Sequence, residues 1–313
     1  MSATPFAVML MGPTASGKSE LAVRLAERYP FELISVDSAQ VYRGMDVGTA
    51  KPAPALRARI PHRLVDIVEP YETYSAARFR QDALREMHDI WERRRIPLLV
   101  GGTMLYFRAL WHGLSPLPPA DAGVRERLTR EAARHGWPAL HERLARVDAV
   151  AAARIHPNDS QRIQRALEVR ESSGKTMTEL FAAGAGPIAD YRSVRLALAP
   201  ASRQALHERI AQRFYAMLEA GLVDEVTALM RATGDNRSLP AMRAVGYRQM
   251  AAFVAGELSF DEAVSQGIAA TRQLAKRQLT WLRGESGVHW LDADDPQLPV
   301  TAVKRLREEG LSV

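Results

Sequence analysis

The sequence predicts an α/β fold, in which a parallel-sheet core is interrupted by an all-helical insertion. Apolar runs and amphipathic stretches alternate in a β-α-β-α-β order over the first hundred residues, as is typical of a parallel sheet covered by helices. A purely helical stretch follows the proline-rich linker Ser115–Gly123, and a strand pattern then returns at Val194–Pro200. We therefore expect residues 1–117 and 194–313 to form the core and residues 118–193 to form the insertion.

Each predicted element has a local signal in its apolar spacing or its capping residues. Strands are predicted at Phe6–Met11, at Phe31–Val36, in LLVGGT ending at Gly101–Gly102, at Val194–Pro200 and at Val288–Leu291. Helices are predicted at Lys18–Arg28, near Ala76–Arg94, at Val124–His135, at Trp137–Val147 and at Gln161–Ser173 with Ser160 as N-cap. A capping box at Ser259–Glu262 opens a last long helix, and Trp281 and Trp290 are expected in the core.

Composition limits the classes of function. The chain has no cysteine, which excludes disulfides, thiolate catalysis and cysteine-ligated zinc. The net charge is +6, and arginine carries almost all of the positive charge. This arginine excess indicates phosphate or nucleic-acid recognition, or alternatively a GC-rich coding sequence. Because the first apolar run, Phe6–Met11, is too short for a signal peptide or a membrane span, we expect a cytoplasmic protein. We separately expect it to be a monomer.

GPTASGKS, between the first strand and the first helix, matches the P-loop pattern G-x-x-x-x-G-K-[ST]. Backbone N–H groups and the helix N-terminus wrap oxyanions in such a loop, a lysine neutralises charge, and a serine hydroxyl can hold Mg²⁺. The predicted phosphate-binding residues are Gly12, Thr14, Ala15, Ser16, Gly17, Lys18 and Ser19, with Ser19 as the Mg²⁺ ligand. The motif alone does not identify the phosphate.

The rest of the chain is poorly equipped for nucleotide hydrolysis. The nearest match to a metal-binding aspartate at the end of a strand is Asp66 in RLVDIV, and the alternative that we favour is a structural residue of that strand. The strand LLVGGT ends in two glycines rather than an acid, and a guanine-reading motif is absent from the sequence.

Five sequence blocks together resemble the tRNA dimethylallyltransferase family, in order, from about residue 6 to residue 292. They are GPTASGKS, DSAQVYRGMDVGTAKP (37–52), PLLVGGTMLY (97–106), NDSQRIQRALEV (158–169) and the region 242–284. The resemblance implies a P-loop kinase-like core whose P-loop holds the diphosphate of dimethylallyl diphosphate. It further implies transfer of the five-carbon group to the N6 amine of the adenosine 3′-adjacent to the tRNA anticodon. The family's zinc-finger tail is not expected, as in bacterial-type members.

The resemblance also implies roles for three side chains. Asp37 follows the second strand, and on sequence alone it is equally a general base or a helix N-cap; the family match favours the base. Thr103, beyond Gly101–Gly102, is expected to donate to the bridging oxygen of the leaving group, with a turn threonine as the alternative. Arg213 is expected to be a second clamp on the diphosphate.

Most of the expected RNA contacts come from family segments that meet the anticodon stem-loop, which the helical insertion is expected to grip. Arg125 is added from the first insertion helix, and Arg272 and Lys276 from one face of the last long helix. A solvated helix face is the alternative for the charged members of this set. The predicted tRNA-binding residues are Asp37, Ser38, Ala39, Gln40, Thr103, Arg125, Gln161, Arg162, Ile163, Gln164, Arg165, Arg243, Gly246, Tyr247, Arg248, Arg272 and Lys276. The rival functions are an ATP-dependent small-molecule kinase, a prenyltransferase of free AMP or ADP, and an RNA-binding protein with a vestigial P-loop.

Overall fold

The computed structural model describes residues 4–184 and 190–313. Internal contacts divide the chain into two compact units, one formed by 1–108 with 190–313 and the other by 109–189. The sequence placed the insertion at 118–193, and the part of it at 185–189 lies outside the described residues. No helix among the described residues is both long enough and apolar enough to cross a membrane.

A six-stranded sheet with all strands parallel forms the centre of the first unit, in the order β3-β2-β4-β1-β5-β6. Its strands are β1 (Phe6–Met11), β2 (Phe31–Val36), β3 (His62–Arg63), β4 (Ile96–Gly101), β5 (Arg192–Ala199) and β6 (Val288–Asp292). The two central strands, β1 and β4, carry no polar side chain because helices cover both faces of a parallel sheet. The predicted α/β class is confirmed.

Fourteen α-helices and one short 3₁₀ helix occur in the described residues. They are α1 (Lys18–Arg28), α2 (Pro54–Arg59), α3 (Ala76–Glu92), α4 (Met104–His112), α5 (Ala122–His135), α6 (Trp137–Val147), α7 (Ala149–Arg154), α8 (Ser160–Ser173), α9 (Met177–Ala182), α10 (Arg203–Glu219), α11 (Leu222–Ala232), a 3₁₀ turn (Ala241–Arg243), α12 (Tyr247–Val254), α13 (Phe260–Arg283) and α14 (Leu298–Glu308).

The strand register brings three chain segments to one edge of the sheet. Met11, the last residue of β1, pairs with Gly101 of β4, and Gly101 also pairs with Val36 of β2. A Cβ at Gly101 would lie 2.0 Å from the Val36 carbonyl oxygen, so this close approach requires glycine. The loops that follow β1, β2 and β4 therefore leave the sheet side by side, at the carboxyl edge where α/β proteins bind ligands.

The helical unit has its own small core. Apolar residues from α5, α6, α7 and α8 pack together there: Leu128, Ala132, Leu140, Leu144, Ala152, Ile163, Ala166 and Leu167. Asp121, Asp148 and Asp159 cap α5, α7 and α8 by accepting backbone N–H bonds. Most of the helices in this unit thus have caps from their own flanking residues.

Three local predictions were wrong, and two helices were not predicted. Asp159, and not Ser160, is the N-cap of α8, because its carboxylate reaches the N–H of Arg162. A strand was expected in RLVDIV (63–68), but the observed strand β3 is His62–Arg63. Asp66 lies beyond its end and has a positive φ of 57°. Trp290 is 45% exposed on β6 rather than in the core, because β6 is an edge strand. The helices α2 and α4 had no counterpart among the predicted elements.

Candidate active site

The P-loop curls back on itself at the carboxyl end of β1. Ala15 and Gly17 both have left-handed backbones, with φ of 62° and 85°. A Cβ at Gly12 would lie 2.3 Å from the Leu198 carbonyl oxygen, so glycine is required where the loop leaves the sheet. The Ser16 hydroxyl is buried and has no hydrogen-bond partner in the described part of the chain. The loop is thus shaped as a cradle with a polar group left for a ligand.

Two cations from distant parts of the chain lie beside this cradle. The Lys18 ammonium donates to the Pro13 carbonyl oxygen at 2.9 Å. Burial, and secondly the nearby Arg213 guanidinium, lowers the pKa of Lys18 from 10.5 to about 8, although Asp37 opposes the shift. Burial also lowers the pKa of Arg213, whose Nε atom is buried without a partner. The site therefore concentrates positive charge that an anionic ligand would neutralise.

Asp37 follows β2 directly and points one oxygen at its own turn. Its Oδ1 accepts the backbone N–H groups of Ala39 at 2.8 Å and Gln40 at 3.3 Å. Its Oδ2 has no hydrogen-bond partner among residues 4–184 and 190–313. No α-helix begins here, so Asp37 caps a turn and keeps a carboxylate oxygen available to a ligand.

Thr103 connects the end of β4 to the turn that carries Asp37. Its backbone N–H donates to the Val36 carbonyl oxygen at 3.2 Å. Its hydroxyl accepts the Ser38 N–H at 3.0 Å and donates to the Ser38 hydroxyl at 3.3 Å. The two loops after β2 and β4 are therefore fixed to each other next to the cradle.

These groups line one cavity of about 510 Å³ within the first unit. Thr14, Lys18 and Ser19 contribute from the P-loop, and Asp37 and Thr103 from the neighbouring loops. The apolar part of the lining comes largely from α10 and α13. It includes Val100, Leu105, Ile210, Phe214, Met217, Leu222, Leu274 and Trp281. One end of the cavity can hold phosphate and the rest can hold a small hydrocarbon group.

A second set of polar contacts holds the loop at residues 43–52 against this cavity. The Glu225 carboxylate accepts the backbone N–H groups of Asp46 and Val47 at 2.7 Å and of Gly48 at 3.0 Å. Glu225 also accepts a short hydrogen bond from the Tyr247 hydroxyl. Burial, helped by this hydrogen bond, raises the pKa of Tyr247 above its ordinary range. Tyr247 therefore stays a neutral phenol that anchors Glu225.

Asp66 belongs to an ion-pair cluster beside the same loop. Its carboxylate pairs with Lys51 and with Arg57, each at 2.5 Å. Burial alone would raise the pKa of Asp66, but the hydrogen bonds from these two cations hold it below its usual value. Asp66 therefore has a structural environment, and it is absent from the cavity lining.

The predicted RNA residues of the helical unit fall into two groups. Glu168 of α8 is fully buried and pairs with Arg125 at 2.9 Å and Arg165 at 2.8 Å. Burial would raise the pKa of Glu168, but these partners lower it. Ile163 is fully buried. Gln164 donates to the Arg125 carbonyl oxygen at 3.1 Å. By contrast, Gln161 and Arg162 lie on the exposed face of α8, with the Arg162 side chain 71% exposed.

The remaining predicted RNA residues lie in the first unit. Ser38, Ala39, Gln40, Arg243, Gly246 and Tyr247 line the cavity. Arg248 and Lys276 are exposed, on α12 and α13 respectively. Arg272 of α13 is partly buried, and its Nε atom has no partner in the described residues.

Sequence reasoning missed three residues that organise these sites: Glu225, Glu168 and Gln278. Gln278 is buried on α13, accepts the Thr14 N–H and donates to the Gly102 carbonyl oxygen. Its position was readable as a polar residue between Ala275 and Leu282 on the buried stripe of an amphipathic helix. Glu225 and Glu168 carry no comparable signal, because acidic residues on helices are ordinarily solvated.

Comparison with known proteins agrees with this arrangement. The family model described as IPP transferase matches residues 40–285, and the model described as isopentenyl transferase matches residues 6–59. A full-length tRNA isopentenylpyrophosphate transferase from Bacillus halodurans is 36% identical, with a TM-score of 0.71 over 98% of this chain and 96% of its own. The tRNA isopentenylpyrophosphate transferase from Staphylococcus epidermidis is 32% identical, with a TM-score of 0.69 over 97% and 99%.

A eukaryotic dimethylallyltransferase acting on tRNA shares the fold, with a TM-score of 0.78 at 24% identity. The alignment with it covers 99% of this chain and 81% of that protein. The IPP transferase model alone spans more than half of the 313 residues, and the bacterial relatives match over nearly the whole chain. The chain therefore belongs to the IPP transferase family of tRNA-modifying enzymes.

Proposed function

We propose that the enzyme transfers the dimethylallyl group of dimethylallyl diphosphate to the N6 amine of the adenosine 3′-adjacent to the anticodon in tRNA. The products are N6-isopentenyladenosine and diphosphate. The observation that carries this proposal is the placement of Lys18, Arg213 and the free oxygen of Asp37 around one cavity with an apolar wall. Family membership supports tRNA prenyl transfer as the reaction class.

The reaction follows from how this cavity distributes charge. An allylic carbon–oxygen bond ionises readily because the carbocation is delocalised, so the main requirement is to stabilise the departing diphosphate. Lys18, Arg213 and the P-loop N–H groups supply that stabilisation, and the diphosphate leaves with the electron pair of the broken bond. The N6 nitrogen then forms the new bond to carbon, and Asp37 accepts the N6 proton through its free oxygen.

Thr103 and the apolar wall orient the two reactants. The Thr103 hydroxyl lines the cavity, and its single O–H, which donates to the Ser38 hydroxyl in the free protein, would turn to the bridging oxygen of the leaving group. The aromatic and aliphatic side chains of α10 and α13 exclude water from the allylic cation, which water would otherwise capture. We infer that the target adenosine is flipped out of the anticodon loop to reach this cavity.

Mg²⁺ is the proposed cofactor, and the residues present fit it. The Ser19 hydroxyl lines the cavity at the start of α1, beside Lys18, and has no other partner in the described residues. Mg²⁺ commonly takes one or two protein ligands and keeps its remaining positions for phosphate oxygens and water. When bound, the ion would neutralise charge on the diphosphate. Ser19 would hold it at the cradle.

A transfer assay tests the proposal. The purified chain is incubated with labelled dimethylallyl diphosphate, Mg²⁺ and an anticodon stem-loop that carries adenosine after the anticodon. A stem-loop lacking that adenosine, and AMP, serve as matched acceptors. We expect label only in the intact stem-loop. Label in AMP would indicate a free-nucleotide prenyltransferase, and ATP consumption without label would indicate a kinase; either result would reject the proposal.

A further inference from the structure

Gln278, near the C-terminal end of the sequence, connects two active-site loops that come from the first third of the chain. It lies on the buried stripe of α13 and is 9% exposed. Its Oε1 accepts the backbone N–H of Thr14 in the P-loop at 2.9 Å. Its Nε2 donates to the Gly102 carbonyl oxygen at 2.8 Å. Both functional atoms of the amide are thus used, one on each loop.

A continuous series of contacts runs from this amide to Asp37. Gly102 is followed directly by Thr103, whose hydroxyl accepts the Ser38 N–H at 3.0 Å. Ser38 follows Asp37 in the chain, and the turn closes where Asp37 accepts the Ala39 N–H at 2.8 Å. Gln278 is therefore the first member of a chain of bonds that sets how far the phosphate cradle lies from the carboxylate.

We propose that Gln278 is a positioning residue that fixes the P-loop relative to Thr103 and Asp37. The proposal rests on the function proposed above, because it assigns the leaving group to the P-loop and the base to Asp37. Displacement of reacting groups by about 1 Å can cost about 100-fold in rate, so holding this separation affects the chemical step more than substrate binding.

Glutamine suits this place for two physical reasons. The site needs one acceptor and one donor at the end of the same side chain, and an ionised glutamate offers only acceptors. A neutral amide also leaves the positive charge of Lys18 and Arg213 available for the diphosphate. The fit is tight, since a Cβ at Gly102 would lie 2.4 Å from Nε2.

The main test compares Gln278→Ala with Trp91→Phe. Trp91 donates to the Phe6 carbonyl oxygen at 2.7 Å, at the start of β1 and therefore at the opposite end of that strand from the P-loop. We expect Gln278→Ala to lower kcat for stem-loop prenylation about 100-fold and to change KM for the allylic diphosphate less than about threefold. Trp91→Phe should lower Tm while leaving kcat within about twofold of the unaltered enzyme. A kcat loss in Trp91→Phe equal to that in Gln278→Ala would overturn the proposal.

A pH profile of Gln278→Glu separates positioning from general stability. Protonation gives the introduced carboxyl an O–H that can donate to the Gly102 carbonyl oxygen. The ratio of its kcat to that of the unaltered enzyme should therefore rise as pH falls from 8.5 to 6. Taking the ratio cancels titration shared with the other ionisable groups of the cavity, which are Lys18, Asp37, Arg213, Arg243, Tyr247 and Arg277. A flat ratio would contradict the positioning role.

Hydrogen–deuterium exchange tests the positioning role of Gln278 without any RNA that accepts the prenyl group. In the free protein, the P-loop peptide over residues 12–19 should exchange faster in Gln278→Ala than in the unaltered chain. Its exchange rate should not change in Trp91→Phe. If exchange of the P-loop peptide rises in Gln278→Ala but the unaltered enzyme prenylates no stem-loop, the positioning role of Gln278 stands and the proposed function fails. If the unaltered enzyme prenylates the stem-loop but Gln278→Ala changes neither exchange nor kcat, the proposal fails and the function stands.

Discussion

Buried charge in the helical unit differs from buried charge in the sheet-containing unit. Glu168 is fully buried in the helical unit, and Arg125 and Arg165 neutralise it with direct ion pairs. In the sheet-containing unit, Lys18 and Arg213 donate to backbone carbonyl oxygens rather than to carboxylates. Burial lowers the pKa of both cations there, and Asp37 offsets only part of the effect.

This difference separates a structural use of charge from a functional one. A buried charge that its own chain neutralises stabilises one packing arrangement and is costly to break. A cation without a carboxylate partner in its own chain destabilises the free protein. When an anion binds beside it, the new charge interaction stabilises the complex. Perturbed ionisable groups in a cleft therefore indicate the functional site. Four predictions test this contrast, beginning with the largest effect.

Asp37→Asn should lower prenyl transfer about 1,000-fold, because general-base catalysis contributes about 10²- to 10⁴-fold. Asparagine keeps an Oδ1 acceptor for the Ala39 and Gln40 N–H groups, so the turn should survive. The measurement is the single-turnover rate with labelled allylic diphosphate, alongside filter retention of tRNA. A rate within about tenfold of the unaltered enzyme would remove Asp37 from the role of base.

Lys18→Met should lower transfer about 100-fold, as expected for loss of a donor to a developing anion. It should also raise Tm of the free protein at pH 7, because a partly buried positive charge without a carboxylate partner disappears. The folded protein releases the Lys18 proton near pH 8 and the unfolded chain near 10.5. Between these values the unfolded chain binds more protons, so the unaltered protein gains stability as pH rises. The amount by which Tm of Lys18→Met exceeds Tm of the unaltered protein should therefore shrink from pH 8 to 10.5 in thermal scans.

Arg165→Ala should reduce the free energy of unfolding by about 3 kcal/mol, because it leaves the buried Glu168 with one guanidinium fewer. Arg162→Ala is the matched control on the same helix. Its ion pair with Asp159 is exposed, and its loss should cost less than about 1 kcal/mol. Urea titration of both variants measures the difference. Equal losses would show that the Glu168 cluster does not contribute to stability.

Arg162→Ala should weaken tRNA binding about three- to tenfold, as expected for loss of one phosphate contact. The slope of the logarithm of the binding constant against the logarithm of salt concentration should become shallower by about one. Affinity for the allylic diphosphate should not change, because Arg162 is absent from the cavity lining. Binding measured at several salt concentrations checks both statements. Parallel loss of tRNA and diphosphate affinity would indicate a folding defect instead.

Local sequence patterns determined much of the fold. The bounds of β1, α1, β2 and α6 agree with the predicted ones, because apolar runs and helix periodicity are encoded within a few residues. The P-loop was readable for the same reason, since its glycines and lysine occupy fixed spacings. The two-residue strand β3 has no pattern long enough to read, and its pairing with β2 depends on neighbours far along the chain.

Which polar side chains meet was decided by the tertiary structure. Arg165 and Arg162 are three residues apart on α8, yet one pairs with buried Glu168 and the other is exposed. Gln278 and Thr14 are separated by 264 positions and form one hydrogen bond. By itself the sequence determined five of the six strands, several of the longer helices, the phosphate cradle and the reaction class that its motifs resemble. Pairings between distant polar groups arise only when packing brings helices and loops together, so the structure alone decided how the cradle, Thr103 and Asp37 are held.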